Sequence, residues 1–228
     1  MMAGNGYSQF CPVAKATEIL DQRWTVLIIR EILAGSSRFN DIHRGVPRMS
    51  RTLLSQRLRQ LEAESIIVRR ETNGGHEYQL TDAGREFWPI IEALGRWGVR
   101  WIDSLTDDDL DPAFLLWDMH RSVDTEALPG QRVVLEIHFR DVVSDVQDWW
   151  LVLTQNGADV CQHDPGFGVD VTLSAELRAL VRVRRGDISW SDAFKRGTLE
   201  THGPQELRHA VPRWFRPSPF ADVERAHR

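Results

Sequence analysis

The chain has 228 residues, 42% of them hydrophobic and 27% charged, with a formal net charge of −5, a balance that excludes a disordered, fibrous or membrane-embedded chain and fits two globular domains. Its two cysteines, Cys11 and Cys161, lie one in each half, which argues against a disulfide framework or a structural zinc site and for a reducing compartment. The first residues lack a basic start followed by an apolar stretch, and the longest apolar run, Trp24 to Ile29, is too short to span a bilayer, so a cytoplasmic chain with no membrane partner is expected.

Cys11-Pro12 leads into a segment, Val13 to Leu33, whose apolar residues recur with near-helical spacing broken around Asp21-Gln22, which predicts two consecutive helices. Gly35 ends the second, and Arg38 to Gly45 reads as a short amphipathic helix with Phe39 and Ile42 three apart. After the turn Val46 to Met49, Ser50 is an N-cap for a helix over Arg51 to Glu64. At 100° per residue Leu54, Leu58 and Leu61 form one stripe, and Thr52, Ser55, Gln56 and Arg59 face away from it, with Arg51 at the N-terminal edge. A short helix, a turn, and a helix with an apolar back and an Arg/Gln/Ser/Thr front meet the requirements of major-groove reading.

The charge is unevenly spread. Residues 1–104 hold 14 Lys and Arg against 12 Asp and Glu, a net of +2, so the remainder carries −7. Between Arg38 and Arg70 eight arginines face three acidic residues. Such a cluster is either a footprint for phosphates or a solvated arginine-rich face. Ile66 to Arg70 then predicts a strand, Thr72 to His76 a glycine-bearing turn, and Glu77 to Leu80 a second strand, together a β-hairpin wing. Thr81 is expected to cap one long helix from Asp82 towards Asp103, with an apolar surface wide enough for its own core and a partner subunit.

The segments Cys11 to Ala14, Trp24 to Leu27, Arg38 to Ile42, Ser50 to Leu61 and Tyr78 to Gly84, taken in order, resemble the HxlR-type branch of the MarR-like winged helix-turn-helix regulators over about 90 residues. The resemblance implies a homodimer, built through terminal helices, that binds a pseudo-palindromic duplex DNA operator. On that reading Arg48, Ser50, Arg51, Thr52, Ser55, Gln56 and Arg59 meet base edges and nearby phosphates, while Arg69, Arg70 and His76 approach the adjacent backbone or minor groove. The family includes thiol-based sensors with a cysteine at the position of Cys11. Cys11 is therefore a redox candidate, against the plainer reading of a small half-buried cysteine.

The acidic stretch Leu105 to Pro112 is expected to be a linker between a domain at 1–104 and one at 113–228, since it lacks the glycine turn and terminal glutamate of a calcium loop. Beyond it Ala113 to Val123 reads as a helix, followed by strands over Val133 to Phe139, Trp149 to Thr154, Ala158 to Gln162 and Val169 to Leu173. Helices are then expected over Ala175 to Arg184, Ser191 to Lys195 and Pro204 to Phe215, giving an α+β layer domain. Trp150 to Leu153, Asp170 to Ser174 and Gly186 to Gly203 resemble the sterol-carrier-protein-type fold over about 100 residues. The resemblance implies a hydrophobic small-molecule effector, with a pocket sought among Trp117, Trp149, Phe167, Trp190, Phe194, Trp214 and Phe215. The same aromatic residues also suit a plain core.

Cys161 and His163 share one face of a strand but have neither a nucleophile elbow nor a second ligand pair, and no P-loop, dinucleotide-binding glycine motif or zinc-hydrolase signature occurs. No enzyme, cofactor or metal is expected. The leading reading is a DNA-binding transcriptional regulator, with two alternatives: a lipid-binding carrier whose N-terminal domain serves dimerisation, and a thiol-based redox regulator.

Overall fold

Ten helices and seven strands are found among residues 6–102, 105–143 and 146–226, which the computed structural model describes. Contacts divide the chain into two compact units, Met1–Gly95 and Arg96–Arg228. In the first, α1 (Pro12–Leu20) and α2 (Thr25–Leu33) are separated by Asp21 to Trp24, where the apolar period fails, and Trp24 stands just before α2 with a left-handed backbone (φ 81°). Next come α3 (Phe39–Arg44), α4 (Arg51–Ala63), β1 (Ile67–Thr72), β2 (Gly75–Leu80), α5 (Asp82–Arg85) and the start of α6 (Trp88–Trp101).

The core of this unit is built from Ile28, Ile29 and Ile32 of α2, Ile42 of α3, Leu54, Leu58 and Leu61 of α4, and Ile66 and Ile67 at the start of the hairpin. At its edge the half-buried Arg30 pairs with the buried Glu31. Glu31 is 1% exposed and accepts from Arg30 at 2.7 Å, and the same Arg30 Nη2 donates to the Gly45 carbonyl at 3.0 Å. A Cβ on Gly45 would stand 1.9 Å from the Glu31 carboxyl group, so the turn after α3 closes on α2 only with glycine there. Ser37 accepts from the Tyr78 amide, and Arg38 bridges Glu77, so residues just before α3 line the inner edge of the hairpin.

The second unit contains α7 (Pro112–Arg121), β3 (Val133–Phe139), β4 (Asp148–Thr154), β5 (Gly157–Cys161), β6 (Val171–Ala175), α8 (Leu177–Arg185), α9 (Trp190–Lys195), β7 (Leu199–His202) and α10 (Gln205–Ala210), which runs into a 3-10 turn, Val211–Trp214. The strands form one sheet in the order β5-β4-β3-β6-β7, with β3 and β6 parallel and the other neighbours antiparallel. Alternation places Leu135, Ile137 and Phe139 on the face covered by α7, α8 and α9, in one core with Leu116, Leu180 and Ala193. Glu136 and His138 occupy the opposite, half-buried face, where Glu136 accepts from Thr172 at 2.9 Å and His138 pairs with Asp148 at 2.6 Å. At the head of α9 Ser189 donates to Asp192, a bond that holds the Asp192 carboxyl below the usual carboxylate range.

Three sequence expectations are corrected. The helix predicted to run unbroken from Asp82 is interrupted at Glu86-Phe87, because Pro89 lacks an amide hydrogen and its ring opposes the carbonyl four residues back; the expected helix end at Asp103 and domain end at Ser104 lie outside the described residues. The wing turn is tighter than Thr72 to His76, since Thr72 already pairs with Gly75. A short edge strand, β7, stands between the helices expected over Ser191 to Lys195 and Pro204 to Phe215, where no strand is expected. The acidic linker is exposed over Asp107 to Asp109 and held at its start, where Arg178 donates to the Leu105 carbonyl at 2.9 Å and to Asp107 at 2.5 Å.

The division between the units falls inside α6, because the end of that helix is held by the C-terminal tail. Arg225 donates to the carbonyls of Val99 (3.1 Å) and Ile102 (3.4 Å) and pairs with Asp187, while the Ala226 amide donates to Arg100 at 2.9 Å. Among the described residues no helix is long and apolar enough to cross a membrane.

Candidate nucleic-acid interface

Ser50 starts α4 by accepting from the Leu53 amide at 3.3 Å, which satisfies one of the amides that a helix start leaves without a partner. Burial of Leu54, Leu58 and Leu61 then fixes the helix about its own axis. The consequence is an outward face on which Arg51, Thr52, Gln56 and Arg59 are exposed and Ser55 is half-buried, with Arg48 and Ser50 exposed just before it. Around Gln56, Arg59, Gln60 and Ala63 this face forms an open hollow of about 440 Å³.

The arginines that looked alike in the sequence separate into two sets. Arg57 turns inward to Gln22, to Gln60 at 2.6 Å and to the Arg23 carbonyl at 3.3 Å, which ties α4 to the α1–α2 turn. Arg38 lies 3.7 Å from Glu77, and Arg44 lies 3.8 Å from Asp41. By contrast, among the described residues Arg48, Arg59, Arg69 and Arg70 are exposed with no side-chain hydrogen bond or ion pair to the protein. Their charge is available to a ligand.

The hairpin does not bring its three candidates together. Arg69 stands opposite Tyr78, Arg70 opposite Glu77 and Glu71 opposite His76. Residues directly across an antiparallel pair share a face, so Arg69 and His76 lie on one side of the wing and Arg70 on the other with Glu77. One contact escaped the sequence reading. Asn40, on α3, accepts from Arg51 Nη2 at 2.7 Å, and its only sequence signal was membership of the Arg38 to Ile42 segment.

A second surface belongs with this one. Among its described side chains α6 buries none, and Trp88, Ile90, Leu94, Trp97 and Trp101 are each 41 to 57% exposed. Val13 on α1 and Leu27 on α2 are exposed too. The space between α6 and the first two helices, lined by Leu20, Val26, Ile29 and Leu94 among others, is only about 10 Å³ and too small for a ligand. Cys11 is half-buried immediately before α1.

The aromatic residues proposed for an effector pocket also part company. Trp190 lies 6.0 Å from Phe194 and 6.1 Å from Phe215, ring centre to ring centre, a cluster in which Phe215 belongs to the sheet core and Trp190 and Phe194 pack against it. Trp149 and Trp214 are buried in the sheet core, Trp149 donating to the Val146 carbonyl at 2.7 Å and Trp214 finding no acceptor for its indole N–H among the described residues. Trp117 is buried beside His120 and Arg121. Phe167, in the β5–β6 connection, is 40% exposed under the Arg132 guanidinium. Among the described residues no group of three His, Cys, Asp or Glu side chains is placed to hold a metal ion.

Comparison with known proteins separates the same two halves. Residues 19–106 match the HxlR-like helix-turn-helix family, and residues 124–215 match the SCP-2 sterol transfer family. The chain is 41% identical over 100 residues to an uncharacterized HTH-type transcriptional regulator of Bacillus subtilis, YvaP, covering 42% of this chain and 93% of that protein. It is 35% identical over 96 residues to another HTH-type transcriptional regulator, from Synechocystis, covering 41% of this chain and 71% of that one. Among solved structures, the reduced form of the transcriptional regulator YodB from B. subtilis is similar at 29% identity and a TM-score of 0.36, over 40% of this chain and 92% of that one.

Proposed function

The chain belongs to the HxlR-like helix-turn-helix family, and from that premise we propose that it is a homodimeric transcriptional regulator that reads a two-part operator in duplex DNA through α4. The observation that carries this is the face of Arg51, Thr52, Gln56 and Arg59, exposed opposite the buried leucines and flanked by arginines that have no acceptor among the described residues. A helix so held can enter a major groove, with polar side chains on base edges and the surrounding cations on phosphates. A second copy of the chain is the partner for the bare apolar face of α6. A two-fold dimer formed there presents α4 twice, which suits two half-sites about one DNA turn apart.

Selection from random duplex DNA tests this directly. The full-length protein enriches a motif with two related halves, and Arg51→Ala with Gln56→Ala changes or abolishes that preference. Failure to enrich any sequence overturns the reading.

A further element of the proposal concerns the C-terminal half. Its SCP-2 match supports an apolar effector bound by this domain. Such a molecule acts on transcription only so far as it binds the DNA-competent and incompetent states with different affinity. Repeating the selection with a hydrophobic extract added checks it: a change in operator affinity supports an effector, and no change with any apolar fraction rejects one.

A further inference from the structure

Arg51 is the first residue of α4, and its guanidinium is already held in place before any DNA arrives. Nη2 donates to Asn40 Oδ1 at 2.7 Å, and Cζ lies 4.9 Å from the centre of the Phe39 ring. Both partners sit in the first turn of α3, and Phe39 packs against the core of the first unit, so the support is anchored. An exposed arginine is otherwise spread over many rotamers, and ordering it on binding weakens the complex. A planar hydrogen bond and a ring face remove most of that freedom in advance.

The bond uses one donor of the fork. Among the described residues Nε, Nη1 and the second Nη2 hydrogen of Arg51 have no protein acceptor, so one edge of the guanidinium, Nη2 with either Nε or Nη1, stays available for the paired acceptors on a guanine edge. The identity of the acceptor fits this task. A carboxylate at position 40 would grip the guanidinium more tightly, offset its charge and repel nearby phosphates, whereas a neutral amide oxygen orients the fork and leaves the charge intact. Asn40 is exposed, and among the described residues its carboxamide has no other partner.

We propose that Asn40 is a positioning residue for base reading: it aims Arg51 at one base pair in each half-site, so preference there depends on Asn40 as well as on Arg51. This rests on α4 being the reading helix. The test is selection and quantitative binding with the full-length protein, Arg51→Ala, Asn40→Ala and Asn40→Asp, at several salt concentrations.

Asn40→Ala weakens preference, by about tenfold, at the base pair whose preference Arg51→Ala removes. It leaves non-specific affinity, salt slope and thermal midpoint at the wild-type values. Asn40→Asp retains the preference while binding every duplex more weakly. An unchanged preference in Asn40→Ala overturns the inference, and so does an equal loss on all sequences, the result expected if Arg51 sits on a phosphate. If the wild type enriches no sequence, the DNA-reading role itself falls and this inference with it.

Discussion

Arg225 donates to the carbonyl oxygen of Val99, 126 positions earlier in the chain, and in doing so serves as a cap for the last turn of α6. The end of a helix leaves carbonyls without partners and a partial negative charge, and a cation there satisfies both. Arg225→Ala should therefore destabilise the protein by about 1.5 to 3 kcal/mol, the range for hydrogen bonds from a charged group. Hydrogen exchange should localise the loss to the end of α6, in particular to the amide of Ile102, which bonds Gly98. Unchanged protection there would show that the cap contributes nothing.

Gly84 offers a sharper test of packing. A Cβ at this position would stand 2.1 Å from the Ile66 carbonyl oxygen, a backbone atom that cannot swing aside. Gly84→Ala should cost about 1 to 3 kcal/mol by overpacking in chemical denaturation. A wild-type midpoint would mean that the hairpin and α5 can separate freely.

The two wing arginines should not be equivalent. Arg69 and Arg70 lie on opposite faces of the hairpin, and a docked wing presents one face to a given phosphate. Arg69→Gln and Arg70→Gln are expected to differ, with one lowering the salt dependence of binding by about one phosphate contact and the other leaving it near wild type. Equal effects would place the wing edge-on to the DNA.

Charge on the bare face of α6 should dissociate the dimer. Leu94→Glu sets a carboxylate where the side chain is 51% exposed in a single copy, so the isolated fold tolerates it. Sedimentation should show a monomer with wild-type helix content and operator affinity reduced to that of one half-site. A persistent dimer would locate the interface elsewhere.

Much of the reading helix was legible because burial follows period: Leu54, Leu58 and Leu61 recur at helical spacing and are buried. The Asn40–Arg51 bond was not, since it joins residues on two helices whose crossing depends on core packing rather than on spacing. Strand β7 escaped because only Leu199 in it is buried, which leaves no alternation to detect. For the aromatic residues composition gives no discrimination, because a tryptophan that fills a core and one that lines a pocket have the same side chain. Trp214 is fully buried, whereas Phe167 is open to solvent.

The place of β3 in its sheet also sets an order of events during synthesis. The first unit pairs its two strands through a two-residue turn, a contact available as soon as that stretch emerges. In the second unit β3 needs a parallel partner in which Leu135 meets Val171, 36 residues later, and β7 can be added only after that. Non-local pairing of this kind is slow to nucleate. The helix-turn-helix is thus expected to fold on the nascent chain while the sheet still waits for β6 and β7, exposing unpaired strand edges for longer in the C-terminal half than in the N-terminal one.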